Sequence, residues 1–309
     1  MILGVALPER VVVAVRDGVP EWPVARAAAR AAERVCVAVD LDAAPVAPVA
    51  AIRVGGPCPP VLRPVVGSGV AIIVRGGHSL TGRVLEPLDT EAVRRFAASC
   101  GLVDFAVTAT GSPMLADHEL AVAAIVAAEV PGARITLSYE FGQPGLRERE
   151  ADAIRNAALG PEAGRIADEV ARELPGVPAY FARSGRGLVS APYFRRYPQA
   201  CALGGAAGLA RGRAAFGPSR SDGVSDEVAA AYGAALGRPE AQVERIVQAR
   251  GRTELNRVLQ EARDEALTRV VSAGAAPGSA RIAETTANPL SYLPDGLYRV
   301  RVTAEGTVP

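Results

Sequence analysis

The chain has 309 residues, 49% hydrophobic and 22% charged, with a formal net charge of +1. That is enough apolar material for a large core, in one domain or two. A near-neutral balance with only 5% aromatic residues argues against nucleic-acid and membrane partners, which want a basic field and stacking rings. Lysine is absent and all 34 basic residues are arginine, which excludes a Walker phosphate loop and a Schiff-base lysine. The cysteines, Cys36, Cys58, Cys100 and Cys201, form no Cys-x-x-Cys pair, so no zinc ribbon, redox motif or other metal site is assigned. Cys36 and Cys100 sit among apolar neighbours and are expected in the core. No apolar run reaches the roughly 18–20 residues that span a bilayer. With no signal peptide in view, the expected place is the cytoplasm.

In chain order, residues 1–18 read as two strands joined at Leu7-Pro8-Glu9-Arg10, with Asp17-Gly18 as a hairpin signal. A helix is expected over Val24–Arg34, a strand over Val35–Asp40, and a Pro/Ala-rich connecting loop over 42–60. Residues 61–88 read as a strand pair with turns at Gly67–Gly69 and Gly76-Gly77 and a clear strand at Val70–Val74. Asp89 caps a helix whose Val93, Phe96, Ala97 and Cys100 share one face, and Gly101 ends it. A strand over Phe105–Thr110 leads to a helix over Leu120–Val130, opened by Asp117, His118 and Glu119. Ile135–Leu137 is a strand. It empties through Ser138, Glu140 and a turn holding Gly142, Pro144 and Gly145 into a helix carrying Arg147, Glu148, Arg149 and Glu150. A separate helix is expected from Pro161 to Leu174, then a strand over Val177–Ala182 and a polar loop over Gly217–Asp226. The remainder reads as helical, with caps at Ser225 and Thr253 and a stop at Gly274. Two strands joined at Pro294-Asp295-Gly296 close the chain. The alternation predicts an α/β fold with a mainly parallel sheet. The expected division is 1–60, 61–215 and 216–309.

His78 and His118 are the only histidines, so a three-histidine metal site is excluded. His78 follows a glycine turn and is expected in an exposed loop. His118 is either a proton carrier or a helix-start residue between two acids that compensate the dipole. Glu140 and Arg147 lie where a strand of an α/β protein commonly opens into a site, whereas Glu148 and Glu150 are explained as acids at a helix start. His118, Glu140 and Arg147 are therefore the catalytic candidates. Gly204, Gly205 and Gly208 permit close backbone approach to a cofactor or, equally, to a packed helix. Asp40 and Asp42, at a strand end, are further acidic candidates. Ser138 and Ser184 have no histidine nearby in sequence, and a triad has no support.

The order strand, Ser138, Glu140, Gly-Pro turn, Glu148-Arg149-Glu150, Asn156-Ala157 resembles the A-type subunit of the hydantoinase/oxoprolinase family. So do the segments EPLDTEAVRRF and ADHELAV and the run from Ser184 to Gly208. The resemblance covers most of the chain in order, with large internal deletions, and is most specific between residues 84 and 210. It implies an actin-like (ribonuclease H-like) mixed sheet with flanking helices and a reduced second half. It also implies ATP-dependent hydrolysis of a cyclic amide of hydantoin or oxoproline type, with ATP and a divalent metal as cofactors. A B-type subunit or a homo-oligomer is the implied partner. The family's Asp-x-Gly-Gly-Thr phosphate turn is replaced by Ala6-Leu7-Pro8-Glu9, which has no glycine and lacks one amide donor. The second such turn, beyond Gly208, is missing as well. Three readings stand open: an ATP-dependent hydrolase, a non-catalytic binding or partner subunit, and an ATP-independent enzyme using His118 with Glu140.

Overall fold

The computed structural model describes residues 1–22, 24, 29–56, 58–141, 145–217, 223–291 and 296–308. The chain begins with β1 (Ile2–Ala6), β2 (Val11–Arg16), β3 (Val19–Glu21) and β4 (Arg34–Ala38). β1 to β3 form an antiparallel meander. Its second turn puts Asp17 and Gly18 at φ 50° and 80°, the left-handed pair that a two-residue hairpin demands. β4 runs parallel to β1, and Val35, Cys36 and Val37 are fully buried, as befits an apolar run covered on both faces. Of the helix expected over 24–34, residues 25–28 lie outside the described residues; of the rest only Ala29 is helical, the chain turns and bends over 30–33, and Arg34 already belongs to β4.

Residues 41–178 then build a second layer. It comprises β5 (Ala50–Gly56), β6 (Val70–Arg75), α1 (Thr90–Ser99), β7 (Asp104–Ala109), α2 (Asp117–Glu129), β8 (Arg134–Leu137) and α3 (Leu146–Glu173). Its four strands form an all-parallel sheet in the order β6-β5-β7-β8. The chain returns to the first sheet as β9 (Ala179–Ala182), parallel to β4, and β10 (Leu188–Ser190). The resulting order is β10-β9-β4-β1-β2-β3, so the expected mixed sheet with flanking helices is present. There follow α4 (Ala191–Arg196), α5 (Gly204–Phe216) and α6 (Asp226–Ala235). The end of the chain is β11 (Glu240–Gln248), α7 (Arg252–Ser272), β12 (Arg281–Pro289) and β13 (Leu297–Glu305), an antiparallel sheet of order β11-β13-β12 backed by α7.

Several local expectations hold. Asp89 Oδ1 accepts from Ala92 N–H at 3.0 Å and caps α1, and Ser225 caps α6. Others are corrected. The supposed loop over 42–60 contains β5, a central strand of the parallel sheet. Its small residues, AAIRVGG, give no alternation and too little bulk to announce a strand. Residues 61–88 supply one strand, β6, rather than a pair. The two helices expected on either side of Gly160 are one helix of 28 residues with Pro161 inside it. Proline deprives the preceding turn of a donor, and in that turn the Ala158 carbonyl accepts the N–H of Ala47 at 2.9 Å. Residues 240–248 form β11 instead of helix, and Gly251, not Thr253, precedes the first turn of α7. Cys100 is only half-buried, whereas Cys36 is in the core. The expected turn residues Gly142 and Pro144, the tip at Pro294-Asp295 and positions 218–222 of the polar loop lie outside the described residues.

Candidate polar cleft beside the parallel sheet

The strands of the parallel sheet all end on one side, where open α/β sheets hold their ligands. The first group there is a buried polar knot. Glu119, in the first turn of α2, is fully buried on the stripe that also carries Val122 and Val126. Its Oε1 accepts from Ala109 N–H at 2.8 Å and Ser138 Oγ at 2.6 Å, and its Oε2 accepts from Tyr139 N–H at 3.1 Å. Arg149, 1% exposed, donates to the Ala109 and Gly145 carbonyls, each at 3.1 Å, and to Ser112 Oγ and Ser138 Oγ, each at 3.4 Å. Burial pushes the Glu119 carboxyl upward against these hydrogen bonds, and burial holds the Arg149 guanidinium below its usual range. Glu150 takes a two-pronged ion pair from Arg53 of β5, with Nε to Oε1 at 2.7 Å. Glu119 and Glu150 are thus buried partners, not the solvated helix-start acids that the sequence implied.

Asn156, further along the same face of α3, ties the next segment down. Its Nδ2 donates to Thr136 Oγ1 at 3.1 Å and the Arg196 carbonyl at 3.0 Å, and its Oδ1 accepts from Gln199 N–H at 3.2 Å. This fixes Tyr197 and Gln199 opposite Glu140, which stands in the short helical turn Ser138–Phe141. Together with Asp152, Arg183 and Arg269 they line a cleft of about 250 Å3. Glu140 Oε1 accepts from the Tyr197 hydroxyl at 2.8 Å and lies 3.5 Å from Arg196 Nη2. Three buried atoms of the lining residues, Glu140 Oε2, Gln199 Oε1 and Arg183 Nε, have no hydrogen-bond partner among the described residues. Burial raises the Asp152 carboxyl, and burial together with Glu140 raises the Tyr197 hydroxyl.

The sequence-predicted residues do not converge. His118 belongs to a neighbouring cluster, where its Nδ1 accepts from Gly77 N–H at 2.8 Å and its ring lies 4.2 Å from that of His78. That bond puts the proton of neutral His118 on Nε2. His78 is 2% exposed, contrary to the loop expectation, and its backbone N–H is bonded to the Thr110 carbonyl. Burial, and then the adjacent His78, hold the His118 imidazolium below its usual range. Arg147 is exposed on the outer side of α3. Glu140 alone of the catalytic candidates lines the cleft.

The three glycines mark close packing. A Cβ at Gly204 would lie 2.3 Å from the Ala182 carbonyl oxygen, and one at Gly208 would lie 2.8 Å from that of Ala230 in α6. The N–H groups of Gly205 and Ala206, at the start of α5, both go to Asp40 Oδ1, at 2.9 and 3.2 Å. A phosphate brought there meets a carboxylate already bonded to the amides. At the β1–β2 turn, Pro8 has no N–H, and Arg10 is drawn to Glu169 and, at 2.7 Å, to Glu173 of α3. The residues at these two places do not fit a nucleotide phosphate. Among the described residues, no group of three or more His, Cys, Asp or Glu is placed to hold a metal ion.

Asp152, Arg183, Tyr197 and Gln199 were not singled out from the sequence, because they come from three separate elements. Glu119 and Arg149 did leave a signal: each is a charge inside an apolar helical stripe, 119-122-126 and 149-153-157.

No protein-family model and no curated protein matches the chain. Solved structures do. The crystal structure of ATP-dependent caprolactamase from Pseudomonas jessenii superposes with a TM-score of 0.51 at 17% identity, over 62% of this chain and 32% of that one. Nucleotide-free acetone carboxylase, described for ATP-dependent acetone carboxylation, superposes with a TM-score of 0.51 at 11% identity, over 69% of this chain and 40% of that one. The chain therefore spans about a third to two fifths of the length of these structures. What it shares with them at such identities is the mixed α/β fold, with its parallel and antiparallel sheets and flanking helices.

Proposed function

We propose that the chain is a small-molecule-binding relative of the ATP-dependent amide-processing enzymes, taking an amide ligand in the Glu140 cleft without a nucleotide. The observation that carries this reading is the set of unpartnered polar atoms at Glu140, Gln199 and Arg183 around one cleft. Unpaired buried polar groups are costly. An amide supplies what they lack, an N–H for the Glu140 carboxylate and a carbonyl for the Arg183 guanidinium. The likeness to caprolactamase favours a second reading, ATP-dependent opening of the amide. That chemistry needs a site that stabilises transferring phosphoryl charge. Pro8, the tethered Arg10 and the Asp40 carboxylate stand against one at the β1–β2 turn and the start of α5.

Calorimetry with caprolactam, hydantoin and 5-oxoproline, each with and without Mg-ATP, tests the choice. At least one amide is expected to bind in roughly the micromolar to millimolar range, with no change on adding nucleotide. Glu140→Gln is expected to weaken that binding about tenfold, the loss of one charge-assisted hydrogen bond, while leaving stability within about 1 kcal/mol. Nucleotide-dependent turnover, or an amide affinity indifferent to Glu140→Gln, overturns the proposal.

A further inference from the structure

A second cavity, of about 400 Å3, adjoins the Glu140 cleft and shares Glu244 and Arg269 with it. It lies between the loop that follows β7 and the face made by β11 and α7. Two arginines on that face converge on one acid. Arg245 Nη2 is 3.0 Å from Glu265 Oε2, and Arg269 Nη2 is 2.7 Å from Glu265 Oε1. Both oxygens of Glu265 are engaged, and one positive charge is left over. Glu244 does not cancel it, because Arg299 and Arg301 both bind that carboxylate, the latter at 2.9 Å. Glu254, eleven residues before Glu265 on α7, accepts the backbone N–H of Arg250 at 2.7 Å and has Arg257 Nη2 as its counter-charge at 4.0 Å. The buried Nε of Arg245 has no acceptor among the described residues. Pro113, Met114 and Val258 contribute apolar surface to the cavity wall.

We propose that this cavity is a binding site for a small organic carboxylate. The anionic end sits between Arg245 and Arg269, where guanidinium forks match a planar carboxylate, and the apolar body lies on Met114 and Val258. The volume falls within the roughly 300–1,000 Å3 of small-molecule sites. The site rests on different residues from the amide cleft, Arg269 and Glu244 excepted, so either proposal can fail without the other.

Calorimetry on the full chain with hexanoate, hexanamide and inorganic phosphate tests it. The wild type is expected to bind hexanoate, with hexanamide and phosphate each about tenfold weaker or more. Arg245→Gln is expected to cost about tenfold in hexanoate affinity. Val258→Asp, which places a negative charge on the half-buried apolar wall, is expected to do the same and carries the test if Arg245→Gln does not fold. Glu140→Gln leaves hexanoate binding unchanged. Absence of hexanoate binding, equal binding of hexanamide or phosphate, or wild-type affinity in Val258→Asp each overturns the proposal. Hexanoate binding without binding of any cyclic amide overturns only the reading of the Glu140 cleft.

Discussion

Tyr139 separates two polar regions built from adjacent residues of one strand end. On the Ser138 side, Glu119 and Arg149 are buried among donors and acceptors that answer them: two backbone N–H groups, two serine hydroxyls and two carbonyls. On the Glu140 side, the same kinds of side chain line an open cleft and leave a carboxylate oxygen, an amide oxygen and a guanidinium nitrogen unmatched. Both regions look alike in sequence, as charges and serines around a turn. The first holds α2, α3 and the parallel sheet together; the second has bonding capacity to spare. Satisfaction, not polarity, separates scaffold from candidate site.

Breaking the first region gives the largest expected effect. Glu119→Ala removes the acceptor of two backbone N–H groups and the Ser138 hydroxyl, and leaves the Arg149 guanidinium buried without its nearest counter-charge. Loss of one member of a buried ionic network costs about 3–5 kcal/mol, measurable by urea unfolding. A loss under about 1 kcal/mol would erase the contrast, because Glu119 would then be no more structural than Glu140. The glycine candidates sharpen the same point at a smaller scale. Gly212→Ala places a Cβ 1.9 Å from the Ala229 carbonyl oxygen, where α5 crosses α6, and is expected to cost about 1–3 kcal/mol. Gly164→Ala, in α3, meets nothing nearer than 3.7 Å and is expected to gain about 0.5–1 kcal/mol. Equal effects at the two positions would mean that the glycines of α5 are not there for packing.

The sequence carried the fold well where pattern and punctuation agreed. The Asp17-Gly18 hairpin, the strand β1, the β-branched run of β2, the apolar run of β4, and the Asp89 and Ser225 caps were all legible. It failed at β5, whose alanines and glycines hide a central strand. It also failed at Pro161, where tertiary contact keeps one long helix intact through a residue that usually interrupts one. Of the polar residues, Glu140 was legible from its place at a strand end. Tyr197 and Gln199 were not, because only the descent of α4 onto Asn156 brings them across from it, and Arg183 was not, because it comes from just past the distant end of β9. The stripe through Ala153 and Ala157 points to Arg149, not Arg147, as the inward residue.

The histidine pair falls between the two regions and gives the smallest expected effect. His118 uses the lone pair of Nδ1 to accept the Gly77 N–H, so protonation of that nitrogen must break the bond. Burial and the adjacent His78 depress its folded-state pKa below the ordinary 6.5, while Asp117 opposes them weakly. The unfolded chain therefore binds the extra proton more readily than the folded one. The stability at stake is fully present above about pH 6.5 and is lost progressively as pH falls below it. The loss should not exceed the worth of one hydrogen bond, about 0.5–1.5 kcal/mol. Unfolding curves at pH 7.5 and 5.5 for the wild type and His118→Gln measure it. The variant is expected to flatten the pH dependence, because glutamine presents an uncharged acceptor to Gly77 at both values. An unchanged slope would place His118 among the spare groups, beside Glu140, rather than with the satisfied ones.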